Sequence, residues 1–201
     1  SGESENLLLI SNGVNLPNQL TILRIILALV CIYLILLNTL NSLIAALIIF
    51  GIAALTDYFD GQIARRHNLI TNLGKLLDPI ADKILIIGVF LAFLELDLIN
   101  FWIVMIIILR EFVITGLRLI ALKQNKVLAA EAYGKHKMIS QIVAIIVILI
   151  IAILFKFFSH HIIVNWLYND VIDLFMWYVL LITIFSGGYY LWKNKQVIKN
   201  L

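Results

Sequence analysis

The sequence predicts an all-α integral membrane protein, a bundle of six transmembrane helices with a polar site at its cytoplasmic side. Three observations carry that prediction. The 201 residues are 63% hydrophobic and only 13% charged, with a mean hydropathy of +1.04, whereas a soluble domain is about half apolar. Six apolar stretches are each long enough to cross a bilayer, for which about 20 helical residues are needed. Lysine and arginine are concentrated in alternate connections between those stretches. Two prolines and ten glycines leave no room for long linkers, no repeat recurs, and the short connections favour one compact bundle.

In chain order, residues 1–15 read as an N-terminal tail, in which Leu7–Ile10 is apolar enough for a brief interfacial helix. The chain opens on Ser1 instead of Met, so Ser1–Glu5 reads as a processed end or an appended remnant. No cleavable signal peptide is expected, because the first apolar stretch is long enough to span and stay attached. The expected spans are Leu16–Asn38, Ser42–Ala64, Gly74–Leu96, Asn100–Leu122, Lys137–Phe158 and Val171–Trp192. Together they make one domain over 16–193, followed by a basic tail over 194–201.

Basic residues orient the bundle. Arg65, Arg66 and Lys75 lie between spans two and three, and Arg118, Lys123, Lys126, Lys135 and Lys137 lie around the connection of spans four and five. Lys193, Lys195 and Lys199 close the chain. The opposite connections carry Glu95, Asp97, Asp170 and Asp173, with Lys156 as their sole basic residue. By the positive-inside rule both termini face the cytoplasm. The net charge of +3 is too small to point to a nucleic-acid partner. A single cysteine, Cys31, excludes a disulfide within the chain.

At the cytoplasmic ends of spans two and three the chain reads Asp57-Tyr-Phe-Asp60-Gly61-Gln-Ile-Ala64-Arg65, then eight residues, then Gly74-Lys-Leu-Leu-Asp78-Pro-Ile-Ala-Asp82. Ionisable groups beside apolar segments are costly and mark function. On helices, Asp57 and Asp60 are i, i+3 neighbours and Asp78 and Asp82 are i, i+4 neighbours, so each pair shares a face. Where the two faces meet, four acidic groups converge and a divalent cation would hold them together. Gly61 and Ala64 lie on the acidic side of span two and let a flat ligand reach the backbone. Arg65, two turns beyond Asp57, can meet a phosphate with two hydrogen bonds. Hard carboxylates together with phosphate favour Mg²⁺ or Mn²⁺ over softer metals. Two plainer readings compete. The acids could be helix-end charges paired with Arg65, Arg66 and Lys83, or a cation pathway; the second needs charge continuing across the membrane, and the outer halves of spans two and three have none before Glu95 at the outer rim.

The pattern D-x2-D-G-x2-A-R-x8-G-x3-D-x3-D resembles the signature of the CDP-alcohol phosphotransferases, and every fixed position matches. The resemblance extends to six spans with cytoplasmic termini and so covers nearly the whole chain. It implies an enzyme that transfers a substituted phosphoryl group from a CDP-linked donor to an alcohol and releases CMP. It also implies a pair of divalent ions, a homodimer, and a bacterial inner or plasma membrane. Carried onto matching positions, Asp57, Asp60, Asp78 and Asp82 would hold the metal, with Asp82 also the general base. Asn18, Thr21, Asp57, Gly61, Ala64 and Arg65 would hold the CDP donor. The physical logic agrees: a cation offsets the charge that repels an oxygen nucleophile from a diphosphate, and a carboxylate one turn from Asp78 can take the hydroxyl proton.

Further basic residues bear on the acceptor. Span one opens Asn15-Leu-Pro17-Asn18-Gln-Leu-Thr21-Ile-Leu-Arg24, in which Asn18, Thr21 and Arg24 recur at helical spacing. Helix capping accounts for Asn18 but not for Arg24 inside an apolar helix. Span four contains Arg110-Glu111-Phe-Val-Ile-Thr115-Gly116-Leu-Arg118, with Glu111, Thr115 and Arg118 on nearly one face. That set reads either as an Arg110–Glu111 network locking the bundle or as an anion site. Gly134-Lys135-His136-Lys137 enters span five. The first two of these runs resemble the phosphatidylglycerophosphate synthase branch of the family, which implies CDP-diacylglycerol as donor and sn-glycerol 3-phosphate as acceptor. Arg110, Arg118, Lys135 and Lys137 are then candidates for the acceptor phosphate, since lysine and arginine bind phosphate monoesters. Met138 stands where that branch commonly has threonine. The alternatives are another acceptor, such as inositol phosphate or serine, and, outside the class, a cation-coupled transporter.

Other features call for no chemistry. Cys31 reads as a small apolar core or lipid-facing side chain, and His160-His161 as solvated loop residues. His67 and His136 lie near the acidic face and read as solvent-exposed. Trp102, Trp166, Trp177 and Trp192 sit near span ends as interfacial anchors. Ser186-Gly187-Gly188 reads as a close helix-packing segment, since it lacks a P-loop lysine and a preceding strand.

Overall fold

The computed structural model describes residues 16–67, 72–123, 132–158 and 167–195. Within these, the side chains of residues 16–21, 57–67, 72–82, 122–123, 132–135, 167 and 169 lie outside the description. The described residues form helices joined by turns, with no strand among them. The helices are α1 (Leu16–Leu36), α2 (Leu40–His67), α3 (Asn72–Glu95), α4 (Phe101–Lys123), α5 (Ala132–Phe157) and α6 (Ile172–Lys193). A single π-helical turn, Leu167–Val171, leads into α6. All six expected spans therefore correspond to helices. α5 begins at Ala132, five residues before the expected Lys137, because the polar run Gly134–Lys137 is itself helical. The suggested interfacial segment at Leu7–Ile10, the His160-His161 pair and Trp166 lie outside the described residues.

Local chemistry sets the turns opposite the acidic motif. α1 ends at Leu36, and Asn38 takes a left-handed conformation with φ 49°. Asp97 does the same after α3 with φ 55°. Asn and Asp are the non-glycine residues that tolerate this conformation best. After α3, the Leu98 amide donates to the Phe93 carbonyl at 2.9 Å, closing the helix end with a six-residue ring of the Schellman type. α2 opens with a reciprocal cap: the Thr39 amide donates to Ser42 Oγ at 3.0 Å, and the Ser42 amide to Thr39 Oγ1 at 3.2 Å. Asn100 Oδ1 accepts from the Trp102 amide at 2.9 Å at the start of α4.

Among the described residues, α1 packs against both α2 and α3, α5 against α2 and α6, and α4 against α3 and α6. One apolar core runs through them, with Ile35, Leu43, Phe50, Phe90 and Phe93 fully enclosed near the α1–α2–α3 side. Ile107, Ile145, Ile148 and Met176 extend it to α4, α5 and α6. Cys31 belongs to this core; its thiol donates to the Ala46 carbonyl at 3.5 Å across the α1–α2 contact.

The outside is as apolar as the inside. Leu29, Ile48, Leu109, Leu181 and Phe185 are all exposed, which water would penalise and hydrocarbon would not. Over their described residues, His136–Phe157 and Ile172–Lys193 are long and apolar enough to cross a membrane. The fold is that of a helical membrane protein. Trp102, Trp177 and Trp192 are exposed near helix ends, as interfacial anchors would be.

Candidate active site

Both segments of the acidic motif are helical. Asp57, Asp60, Gly61, Ala64 and Arg65 lie in the last turns of α2, and Asp78 and Asp82 in the first turns of α3. Helix runs unbroken through each segment, so the i, i+3 and i, i+4 spacings hold and each acid pair shares a face. The helices are separated by residues 68–71 alone. Pro79 lies between the two acids of α3; lacking an N–H, it leaves the Lys75 carbonyl without its usual helical donor. The side chains of these motif residues, and those of Asn18, Thr21 and Lys135, lie outside the described residues. The donor chemistry is that of hard oxygen ligands, which fits Mg²⁺ or Mn²⁺. Among the described residues no three His, Cys, Asp or Glu side chains converge.

Deeper in the bundle, buried and part-buried polar groups from four helices meet. Arg110 and Lys137 bind one oxygen of Glu111: Arg110 Nη1 donates to Oε1 at 3.0 Å, and Lys137 Nζ donates to the same atom. The side chains of Arg110, Glu111 and Lys137 are only 14%, 15% and 7% exposed. Arg110 Nη2 also donates to Ser186 Oγ on α6 at 3.1 Å, and Ser186 Oγ donates onward to the Thr183 carbonyl at 3.1 Å. Lys83 Nζ on α3 donates to Thr115 Oγ1 on α4 at 2.6 Å. Along α4, Thr115 sits one turn beyond Glu111, so the Lys83 contact lies on the motif side of the ionic cluster.

Two cations sharing one carboxylate leave a net charge of +1 on these three residues (1 + 1 − 1). Burying charge is costly, so an excess of positive charge between apolar helices favours a bound anion. Arg118, two turns after Glu111's neighbour Arg110, is exposed and makes no side-chain hydrogen bond or ion pair among the described residues. The structure thus separates the proposed acceptor set. Arg110 and Lys137 are enclosed and engaged, whereas Arg118 is open. Arg24 is 2% exposed, as its place inside an apolar helix requires. Met138 is exposed while its neighbour Lys137 is buried, so its side chain turns away from the cluster.

Sequence reasoning foresaw the Arg110–Glu111 pair but not its extension to Lys137, nor the roles of Ser186 and Thr115 as partners of basic side chains. The available signal was the arginine itself. A guanidinium in mid-helix needs acceptors from neighbouring helices, and Ser186 is among the few polar residues of α6.

A protein-family model described as CDP-alcohol phosphatidyltransferase matches residues 14–185. A CDP-diacylglycerol–glycerol-3-phosphate 3-phosphatidyltransferase of Bacillus subtilis (strain 168) is 36% identical over 199 residues, spanning 92% of this chain and 97% of that protein. A protein of the same name from Rickettsia typhi is 46% identical over 106 residues, 52% of this chain and 58% of its own length. Another, from Mycoplasma pneumoniae, is 34% identical over 149 residues, covering 65% of this chain and 66% of that protein.

Proposed function

The chain belongs to the CDP-alcohol phosphatidyltransferase family, and from that premise we propose that it transfers the phosphatidyl group of CDP-diacylglycerol to sn-glycerol 3-phosphate, yielding phosphatidylglycerol phosphate and CMP. The observation that carries this reading is the match along almost the full length of both chains to a relative named for that reaction. The intact acidic motif on α2 and α3 supports it.

Asp57, Asp60, Asp78 and Asp82 are the residues that would hold two divalent ions, Mg²⁺ or Mn²⁺. Bound there, the ions supply charge neutralisation at the attacked diphosphate and at the departing CMP. Asn18, Thr21, Gly61, Ala64 and Arg65 complete the donor site, with small side chains where the nucleotide lies against the backbone and a guanidinium for its phosphate. Asp82 accepts the proton of the acceptor hydroxyl as its oxygen bonds to the β-phosphorus, the one carrying diacylglycerol, and the bond from that phosphorus to the CMP oxygen breaks. Arg118 and Lys135 meet the acceptor phosphate first, and the positive cluster of Arg110 and Lys137 holds it. All six helices span the membrane, and both termini and the site face the cytoplasm, where basic connections lie. This arrangement lets a water-soluble head and a lipid tail share one site, and the protein works as a homodimer.

The test is direct. Purified protein supplied with CDP-diacylglycerol, Mg²⁺ and labelled glycerol 3-phosphate should release CMP as label enters lipid. Preferred use of inositol phosphate or serine would keep the reaction class and overturn the acceptor. Cation flux without CMP release would overturn the class.

A further inference from the structure

We propose that Ser186 and Gly187 of α6 are positioning residues for the acceptor step: they fix the Arg110 guanidinium and, through the shared Glu111 oxygen, the Lys137 ammonium. The proposal deepens the acceptor reading above and rests on it. α6 carries no residue of the acidic motif, yet it reaches the cluster through these two positions.

Each position constrains a different part of Arg110. Ser186 Oγ accepts from Nη2 at 3.1 Å, and its own proton is committed to the Thr183 carbonyl at 3.1 Å. The hydroxyl can therefore serve Arg110 only as an acceptor, which sets the rotation of the guanidinium plane. Gly187 constrains the stem. A Cβ there would lie 3.2 Å from Arg110 Cγ and 3.4 Å from Nε, so even a methyl would make the arginine stem shift by a few tenths of an ångström. A Cβ at the adjacent Gly188 would meet nothing within 4 Å, so of the two glycines only Gly187 lies close against Arg110. Arg110 Nε is buried with no hydrogen-bond partner among the described residues, turned to the side where Gly187 leaves room.

The consequence travels through one atom. Glu111 Oε1 takes both Arg110 Nη1 and Lys137 Nζ, so a displaced guanidinium moves the carboxylate and releases the ammonium. A buried cation that holds an anion loses affinity when its aim shifts by a fraction of an ångström.

The experiment measures KM for glycerol 3-phosphate, KM for CDP-diacylglycerol, kcat and Tm on the purified full chain with Mg²⁺. Ser186→Ala and Gly187→Ala are each expected to raise the acceptor KM about fivefold, with donor KM near wild type. Gly188→Ala should leave both unchanged. Combining Ser186→Ala with Arg110→Lys should cost less than the product of the separate effects, because both act on one guanidinium. An acceptor KM unmoved in both α6 variants overturns the proposal. So does a parallel rise of both KM values with a falling Tm, the signature of a packing role. Wild-type protein that shows neither transfer to glycerol 3-phosphate nor thermal stabilisation by it overturns the acceptor reading and this assignment together; normal wild-type turnover with unmoved variants overturns this assignment alone.

Discussion

The Lys137 ammonium of α5 donates to Oε1 of Glu111 on α4, and the same oxygen accepts from Arg110. One carboxylate thus ties two helices and balances one of two buried positive charges. Removing it should be expensive. Glu111→Gln leaves Arg110 and Lys137 facing each other in apolar surroundings, for which the expected loss is about 3 kcal/mol or more. Thermal or denaturant unfolding in mild detergent measures it. Lys137→Met in the same background should recover part of the loss by removing the repulsion. Equal stability of Glu111→Gln and wild type would show that the bridge contributes nothing.

Cys31 offers an independent probe of the α1–α2 contact. It is the chain's one cysteine, fully buried, with its thiol against the Ala46 carbonyl. Modification by a maleimide should therefore be at least about a hundredfold slower in the native protein than after unfolding in detergent, since it requires the helices to part. Labelling at equal rates would mean that α1 does not pack as described.

Much of the fold was legible in the sequence because lipid imposes two simple requirements, length and apolarity. Those are enough to place α1 to α4 and α6 within a few residues of the expected spans. They fail at the start of α5, where Gly134, Lys135 and His136 are polar yet helical, since hydropathy reports the solvent and not the backbone. They fail again between α5 and α6, where the π-helical turn Leu167–Val171 precedes the expected span. The acidic motif was legible because helical periodicity alone puts its pairs on common faces. Which neighbour each buried base would meet was not. Thr115 and Ser186 become partners of Lys83 and Arg110 only through contacts between distant parts of the chain, and nothing in local spacing records those.

The packing of α1 on α3 makes a further prediction at Gly88. A Cβ at this position would run into the Ile32 side chain, lying 3.3 Å from Cγ1 and closer still to the terminal methyl. The methyl is the end of a flexible, partly buried side chain and can turn aside, so the cost falls on the Ile32 rotamer and on the close approach to Cγ1. Gly88→Ala should lower stability by about 1–3 kcal/mol, the usual cost of overpacking a dense core. Adding Ile32→Val or Ile32→Ala should restore part of it. Gly51→Ala is the matched control, because a Cβ there meets nothing within 4 Å. If Gly88→Ala is as stable as that control, the close approach of α1 and α3 is wrong.

The four motif aspartates should separate by their response to metal. Chelation should abolish CMP release, and Mg²⁺ or Mn²⁺ should restore it, because carboxylates from two helices cannot neutralise a diphosphate unaided. On the proposed metal site, Asp57→Asn and Asp78→Asn would each replace a charged ligand with a neutral one. Both should raise the Mg²⁺ concentration for half-maximal rate, by roughly 10–100-fold, and recover part of the rate when Mg²⁺ is raised further. Asp82→Asn should behave differently. An amide cannot accept the hydroxyl proton, so kcat should fall by about 10²–10⁴-fold and saturating Mg²⁺ should not restore it. The position of Asp82, one turn beyond Asp78 on the same face of α3, makes this contrast a test of role as well as of presence. If Asp82→Asn regains full turnover at high Mg²⁺, Asp82 is a metal ligand only and the proton must leave by another group.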